Sequence, residues 1–259
     1  LGEMFAPLQA PLHLSYSHVK EYRECPRCFY LRRVLRLGDP PGRAMLVGQV
    51  VHDAMERFTR ERGEAENEGA RAPDAERLLE IGRSRYFAML PPGAPADRAQ
   101  LDQIMELLRS GARMLDEPGV QILEPERKVV FPYEHAGIEH AFEAKIDRID
   151  QLGEGTGTTL RIVDYKTGRP TKALLEPGKT DLQLAIYALA LRHEYGEEAV
   201  GVGEYWLLQT GERGRLDLSA IDAKKIKGQI DGAIEGMLAG QWPRKCREGA
   251  GVCSIIDGI

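Results

Sequence analysis

The chain has 259 residues, enough for one large domain or two small ones with a sizeable core. Hydrophobic residues make up 42% and charged residues 29%, the balance of a soluble globular protein. The net charge of −5 argues against indiscriminate coating of nucleic acid but leaves room for a local basic groove.

No apolar run approaches the roughly 20 residues needed to span a bilayer. The N-terminus lacks the charged-then-apolar pattern of a signal peptide, so no membrane partner and a cytoplasmic location are expected. The chain begins at Leu1 rather than Met, as a processed chain or a piece of a longer one would. Charge is unevenly spread. Lys20, Arg23, Arg27, Arg32, Arg33, Arg36 and Arg43 crowd one stretch, whereas Glu61 to Glu80 is acid-rich and reads as a solvated loop and helix start.

In chain order, Leu14 to Val19 reads as the start of a helix with Ser15 or Ser17 as its N-cap. Cys25-Pro26 interrupts it, and Pro26 opens a second helix through Phe29, Tyr30 and Val34. Gly38 to Gly42 is a turn. The spacing of Val47, Val51, Ala54, Met55 and Phe58 predicts a helix over 44–60. His52 lies off that stripe, in line with Gly48 below and Glu56 above. Helices are also expected over 74–90 and 96–116.

After Gly119 the period switches to two. Strands are expected ending at Val129-Val130-Phe131, over 138–150 and over 160–166, with turns at Glu134 to Gly137 and Gly153 to Gly157, giving an antiparallel meander. A helix over 180–194 follows, with Thr180-Asp181-Leu182-Gln183 as a capping box. A fourth strand over 200–208 and a last helix over 220–238 complete the chain, and no internal repeat is visible.

The chemistry concentrates in Ile162-Val163-Asp164-Tyr165-Lys166-Thr167-Gly168. Strand alternation puts Asp164 and Lys166 on one face, roughly 7 Å apart along the strand. A carboxylate can hold a hard cation there while the lysine steers a water beside it; a surface ion pair is the plain alternative.

Read with its neighbours, this stretch joins Gly48-Gln49-Val50-Val51-His52 on a helix, Lys145 to Asp150 on a strand, and Gln183 to Tyr187 on a helix. In that order and spacing the four motifs resemble the RecB-like branch of the PD-(D/E)XK nuclease superfamily. The resemblance covers the chain from Leu14 to the last helix and implies an α/β, restriction-endonuclease-like fold. Its mixed central sheet would be a three-strand antiparallel meander, a helix and a fourth strand.

A mainly helical region over 14–118 would precede a nuclease core over 119–240 and a cysteine-bearing tail over 241–259, in one nuclease domain. The implied activity is metal-dependent cleavage of DNA, as an exonuclease or on single strands and ends, in repair, recombination or defence. A helicase–nuclease is the implied setting. By the same resemblance His52, Asp147, Asp164 and the Tyr165 backbone carbonyl would hold Mg²⁺ or Mn²⁺, and Lys166 would position the attacking water. Gln183 and Tyr187 would lie against DNA. Glu143 shares a face with Asp147, as an outer acid or as a solvated side chain.

Cys25 and Cys28 lie early in the chain, Cys246 and Cys253 late. Relatives of this branch carry a [4Fe–4S] cluster held by one cysteine before the core and three after it. Here a third late cysteine is missing and Cys28 would take its place; Zn²⁺ and free thiols remain as alternatives. The other class of function is an inactive nuclease fold that binds DNA or a partner protein. The intact Asp147, Asp164 and Lys166 set speaks against it.

Overall fold

The computed structural model describes residues 5–38, 43–117, 120–153, 159–197, 200–248 and 250–255. The expected turns over 38–42 and 153–157 lie outside these residues apart from Gly38 and Gly153. A short strand β1 (His13–Ser15) leads into α1 (Tyr16–Glu24), which Ser15 caps by accepting from the His18 N–H. Pro26 starts α2 (Pro26–Phe29), which continues as a π-helical turn (Tyr30–Val34).

Three helices follow: α3 (Arg43–Glu68), α4 (Ala75–Met89) and α5 (Arg98–Leu115). Asp74 caps α4 and Asp97 caps α5. α3 runs well past Arg60, into the acid-rich stretch expected to be a loop. Arg57–Glu61 and Arg60–Glu56 are paired one turn apart along it, and Arg77 of α4 grips Glu61 from outside. Charge pairing, which an apolar stripe does not register, carries the helix on.

The strands are β2 (Val120–Glu124), β3 (Arg127–His135), β4 (Ile138–Ile146), β5 (Arg148–Leu152) and β6 (Thr159–Lys166). A short α6 (Lys172–Leu175) and α7 (Leu182–Tyr195) precede β7 (Val200–Leu207), β8 (Glu212–Asp217) and α8 (Ala223–Leu238). β3 and β4 turn on Ala136 and Gly137 alone. Both have positive φ, 51° and 76°, the two-residue hairpin geometry whose twist matches its strands.

The expected meander is present with one change: its middle strand is two strands in two sheets. β4 pairs with β3 and β1 in a three-stranded sheet, while β5 pairs with β2 and β6 in a five-stranded sheet of order β2-β5-β6-β7-β8. The chain changes sheets at Asp147. β6 and β7 are parallel and the other pairs of this sheet antiparallel, so the sheet is mixed. β2 and β8 escape a reading based on alternation because they are half-exposed edge strands, with only Gly214 and Leu216 buried in β8.

Apolar packing covers both faces of β6. Leu160 and Ile162 join the α1, α7 and α8 side, and Val163 and Tyr165 join the α3–α5 side with Trp206. The strand is therefore buried almost throughout, and Asp164 lies in its interior. No helix among the described residues is long and apolar enough to cross a membrane.

Candidate active site

Period-two alternation on β6 aims Asp164 and Lys166 toward α7. There Lys166 Nζ stands 2.7 Å from Asp164 Oδ2 and donates to Gln183 Oε1 at 2.9 Å. The Gln183 amide donates in turn to Asp164 Oδ1 at 2.5 Å and to the Tyr187 hydroxyl at 3.0 Å. The capping box expected of Gln183 is not formed. Asp181, not Thr180, caps α7 by accepting from the Leu184 N–H, which leaves the glutamine free to face β6.

Asp147 sits at the bend between the two sheets. Its Oδ2 accepts from the Tyr165 N–H at 2.8 Å, and its Oδ1 lies 3.1 Å from His52 Nδ1. The bend has a consequence for β6. β5 pairs with β6 only as far as Arg148 opposite Val163, so the edge of β6 at Tyr165 is left to Asp147. The N–H and C=O of one residue in an extended strand point to the same edge, which aims the Tyr165 carbonyl at this opening.

His52 arrives from α3, edge-on to the Tyr165 ring at 6.1 Å. A Cβ added at Gly48, one turn earlier, would meet Thr167 Oγ1 at 3.6 Å, so α3 runs close to the loop after β6.

His52, Asp147, Asp164, Lys166, Gln183 and Tyr187 all line one cleft of about 670 Å³. The Asp164 side chain is only 5% exposed, and burial pushes its carboxyl up to about 6 against the pull of Lys166. Burial also opposes charge on His52, but the Asp147 carboxylate outweighs it and raises the imidazole above its ordinary value. Burial, with Asp164 adding to it, holds the Tyr187 hydroxyl protonated well above the ordinary range, so it stays a donor.

Glu143 lies at the rim, engaged by Lys128 at 2.7 Å and His13 at 3.4 Å. Tyr16 and Ser17, which sequence reasoning does not place at the site, bring the first turn of α1 into the cleft. Their signal is Ser15-Tyr16-Ser17, a pattern that capping alone accounts for in the sequence.

The four cysteines meet although more than two hundred residues separate Cys25 from Cys253. Their sulfurs lie within 4.8 Å of one another. Cys28 Sγ is 3.2 Å from Cys253 and 3.6 Å from Cys246, and Cys25 is 3.9 Å from Cys253. These spacings are too long for disulfides, and all four thiols are free. Burial works against ionising Cys25, but N–H groups of Lys245, Cys28 and Cys246 bring its thiol down to about 6. Among the described residues this is the only set of three or more metal-donor side chains already gathered to that closeness. His52, Asp147 and Asp164 share a cleft but are occupied with protein partners.

A profile of the PD-(D/E)XK nuclease superfamily matches residues 13–256. The chain belongs to that superfamily. Among curated proteins, it is 28% identical to an ATP-dependent helicase/deoxyribonuclease subunit of Carboxydothermus hydrogenoformans over 74% of this chain and 20% of that one. It is 32% identical to the Gene 69 protein of Mycobacterium phage D29 over 42% of this chain and 44% of the phage protein. The chain thus spans less than half the length of either curated relative. A crystal structure of SSO0001 aligns over 98% of this chain and 90% of its own, at a TM-score of 0.44 and 14% identity.

The likeness to the helicase/deoxyribonuclease protein is the RecB-like one that the four motifs imply. Within this PD-(D/E)XK nuclease the motifs converge from four separate elements, α3, the β4–β5 bend, β6 and α7, onto the single cleft.

Proposed function

We propose that this PD-(D/E)XK nuclease hydrolyses DNA phosphodiesters with Mg²⁺ or Mn²⁺ at the cleft between α3, β6 and α7, acting on single strands or ends. The observation that carries the reading is the convergence of Asp147, Asp164, His52 and Lys166 on one cleft. The donor set suits a divalent cation: two carboxylates, an imidazole and a strand-edge carbonyl, with Asp164 buried against a single lysine. His52, Asp147, Asp164 and the Tyr165 carbonyl would hold it. When bound, such an ion polarises the phosphate and lowers the pKa of a coordinated water.

The protein's own groups do the rest. Lys166, held by Asp164 and by the Gln183 carbonyl, points a donor into the cleft where an attacking water would be oriented. Gln183 and Tyr187 form the wall against which the DNA backbone lies and fix the Asp164 carboxylate. Water attack forms one P–O bond as the water gives up a proton, the bond to the leaving sugar oxygen breaks, and that oxygen takes up a proton.

The cysteine centre holds a metal apart from the chemistry. The resemblance favours [4Fe–4S]. The sulfur spacing favours a single Zn²⁺, because four sulfurs at about 2.3 Å from one ion stand roughly 3.8 Å apart, whereas a four-iron cluster needs them wider. Brown colour with acid-labile sulfide decides for the first, and colourless protein with stoichiometric zinc for the second. The relative's name supports work beside a helicase.

The deciding experiment is cleavage of end-labelled single- and double-stranded DNA with and without EDTA, in the wild type and Asp164→Ala. Cleavage that survives EDTA or that substitution at the wild-type rate overturns the reading.

A further inference from the structure

A second groove, of about 640 Å³, opens beside the cleft between the end of α1, the start of α7 and the exposed face of α8. Arg23, Lys225 and Lys245 line it, and no carboxylate is among its lining residues. In a chain of net charge −5 this is a local reversal of sign. All three cations are exposed. Lys225 keeps 70% of its side chain in solvent and meets Asp222 only at 3.5 Å, and Lys245 Nζ rests on the Arg23 carbonyl at 3.4 Å.

The floor is Gly228 and Gly232, one turn apart on α8, and a Cβ at either would meet nothing within 4 Å. A polymer backbone can therefore lie close to the helix between the cations.

The groove is joined to the cleft by α1. Its first turn, at Ser17, lines the cleft, and its last, at Arg23, lines the groove. Six residues of helix span about 9 Å, a short step for an extended strand. Lys20 stands between them, half-exposed and loosely paired with Glu24 at 3.9 Å. At its other end the groove starts at Thr180, three residues before Gln183.

We propose that this groove carries the phosphate backbone of a single DNA strand whose scissile bond lies in the cleft. The proposal rests on the nuclease reading above and adds a contact site to it. The cations dominate recognition: a guanidinium and two ammonium groups neutralise successive phosphates, a contact that carries no sequence information. The cysteine centre sets the geometry of the far wall. Lys245 precedes Cys246, and its backbone N–H donates to Cys25 Sγ at 3.3 Å, so the centre fixes where that ammonium stands.

The test is the salt dependence of binding, measured with no Mg²⁺ or Mn²⁺ added, with fluorescein-labelled single-stranded oligodeoxynucleotides of about four and about 20 nucleotides and a duplex of the longer one. Releasing three phosphate contacts at roughly 0.7 each should flatten the slope of log K against log salt by about 2 for the longer strand in the triple variant Arg23→Gln/Lys225→Gln/Lys245→Gln. Lys225→Glu alone, at an exposed position, should weaken the longer strand with no change in melting temperature.

An unchanged slope in a triple variant that melts like the wild type overturns the groove. So does wild-type binding that is equally strong for both lengths, while leaving the cleft reading in place. Equal losses for a duplex and a single strand overturn the single-strand assignment. A wild type that neither binds nor cleaves DNA of any length overturns the nuclease reading, and the groove with it.

Discussion

Asp164 is buried where its charge is expensive. Its carboxyl is raised to about 6 from an ordinary 3.8, so folding favours the protonated form. Stability of the metal-free protein should therefore fall as pH rises from about 4 to about 6 and stay low above that. Asp164→Asn should abolish cleavage yet raise the melting temperature at pH 8, by roughly 2–4 °C for each kcal/mol relieved.

The same carboxyl must ionise to hold a cation. As pH drops, protonation of His52 and then of Asp164 should make the metal concentration for half-maximal cleavage climb, by about tenfold or more per unit below about 6. A flat metal requirement from pH 5 to 7 would contradict this. His52 and Lys166 separate by role. His52→Ala should raise the metal requirement, whereas Lys166→Ala should cost about 10²–10⁴ in rate while DNA binding persists. Metal titrations and binding assays on the two variants distinguish them.

At the scale of elements, the bend at Asp147 is what brings the second acid to the first, and a buried charge network stands directly behind it. Arg148 and Arg161 both grip Asp150, with Arg148 Nη2 and Arg161 Nε each 2.9 Å from Oδ2. Asp150 and Arg161 face each other across β5 and β6. Trp206 lies under three guanidiniums, those of Arg148, Arg161 and Arg213, at 4.7, 5.7 and 4.5 Å. Glu117 ties Arg161 and Arg213 to the end of α5.

Asp150 is fully buried, so removing it leaves two guanidiniums without their shared carboxylate. Asp150→Ala should cost about 3–5 kcal/mol, read as a lowered urea midpoint. Gly214 carries a second element-scale prediction. A Cβ there would fall 1.7 Å from the Leu174 carbonyl oxygen, which belongs to backbone and cannot swing away. Gly214→Ala should lose about 1–3 kcal/mol by pushing α6 off β8, and a melting temperature equal to wild type would show that α6 gives way freely.

For the whole molecule, the cysteine centre ties the N-terminal helices to the C-terminal tail. Leu31 and Val252 pack with Cys25, Cys28 and Cys253 in a small core of their own. Gly251, at φ 63°, makes the turn behind Cys253; a Cβ there would lie 3.0 Å from Cys28 Sγ. A metal on the four thiolates would close a loop of more than two hundred residues and supply folding energy directly. Stripping the metal, or Cys253→Ser, should lower the melting temperature by several degrees. Both changes should also weaken binding of long single strands through the displaced Lys245. Unchanged stability after complete metal removal would return the cysteines to free thiols.

What the sequence determined by itself was local. An apolar alternating run ending in an acid and a lysine is a strand with both groups on one face, whatever surrounds it, and the order of four short motifs carried the family and the residues of the cleft. Burial of Asp164 and its bonds to Gln183 needed α7 in place. No periodicity predicts which of two neighbours, Thr180 or Asp181, takes the cap of α7, and so whether Gln183 is released for the site.

The exchange of sheets at Asp147 was likewise missed: Ile146 and Ile149, three residues apart, both join the α7 side and so break the period of two there, but which strands each half pairs with is a property of the neighbours. The meeting of Cys25 and Cys28 with Cys246 and Cys253 depends on how two chain ends pack around the core. So does the gathering of Arg23, Lys225 and Lys245 in one groove. Contacts at such separations are paid for in chain entropy by the whole fold, so only the tertiary structure decides them.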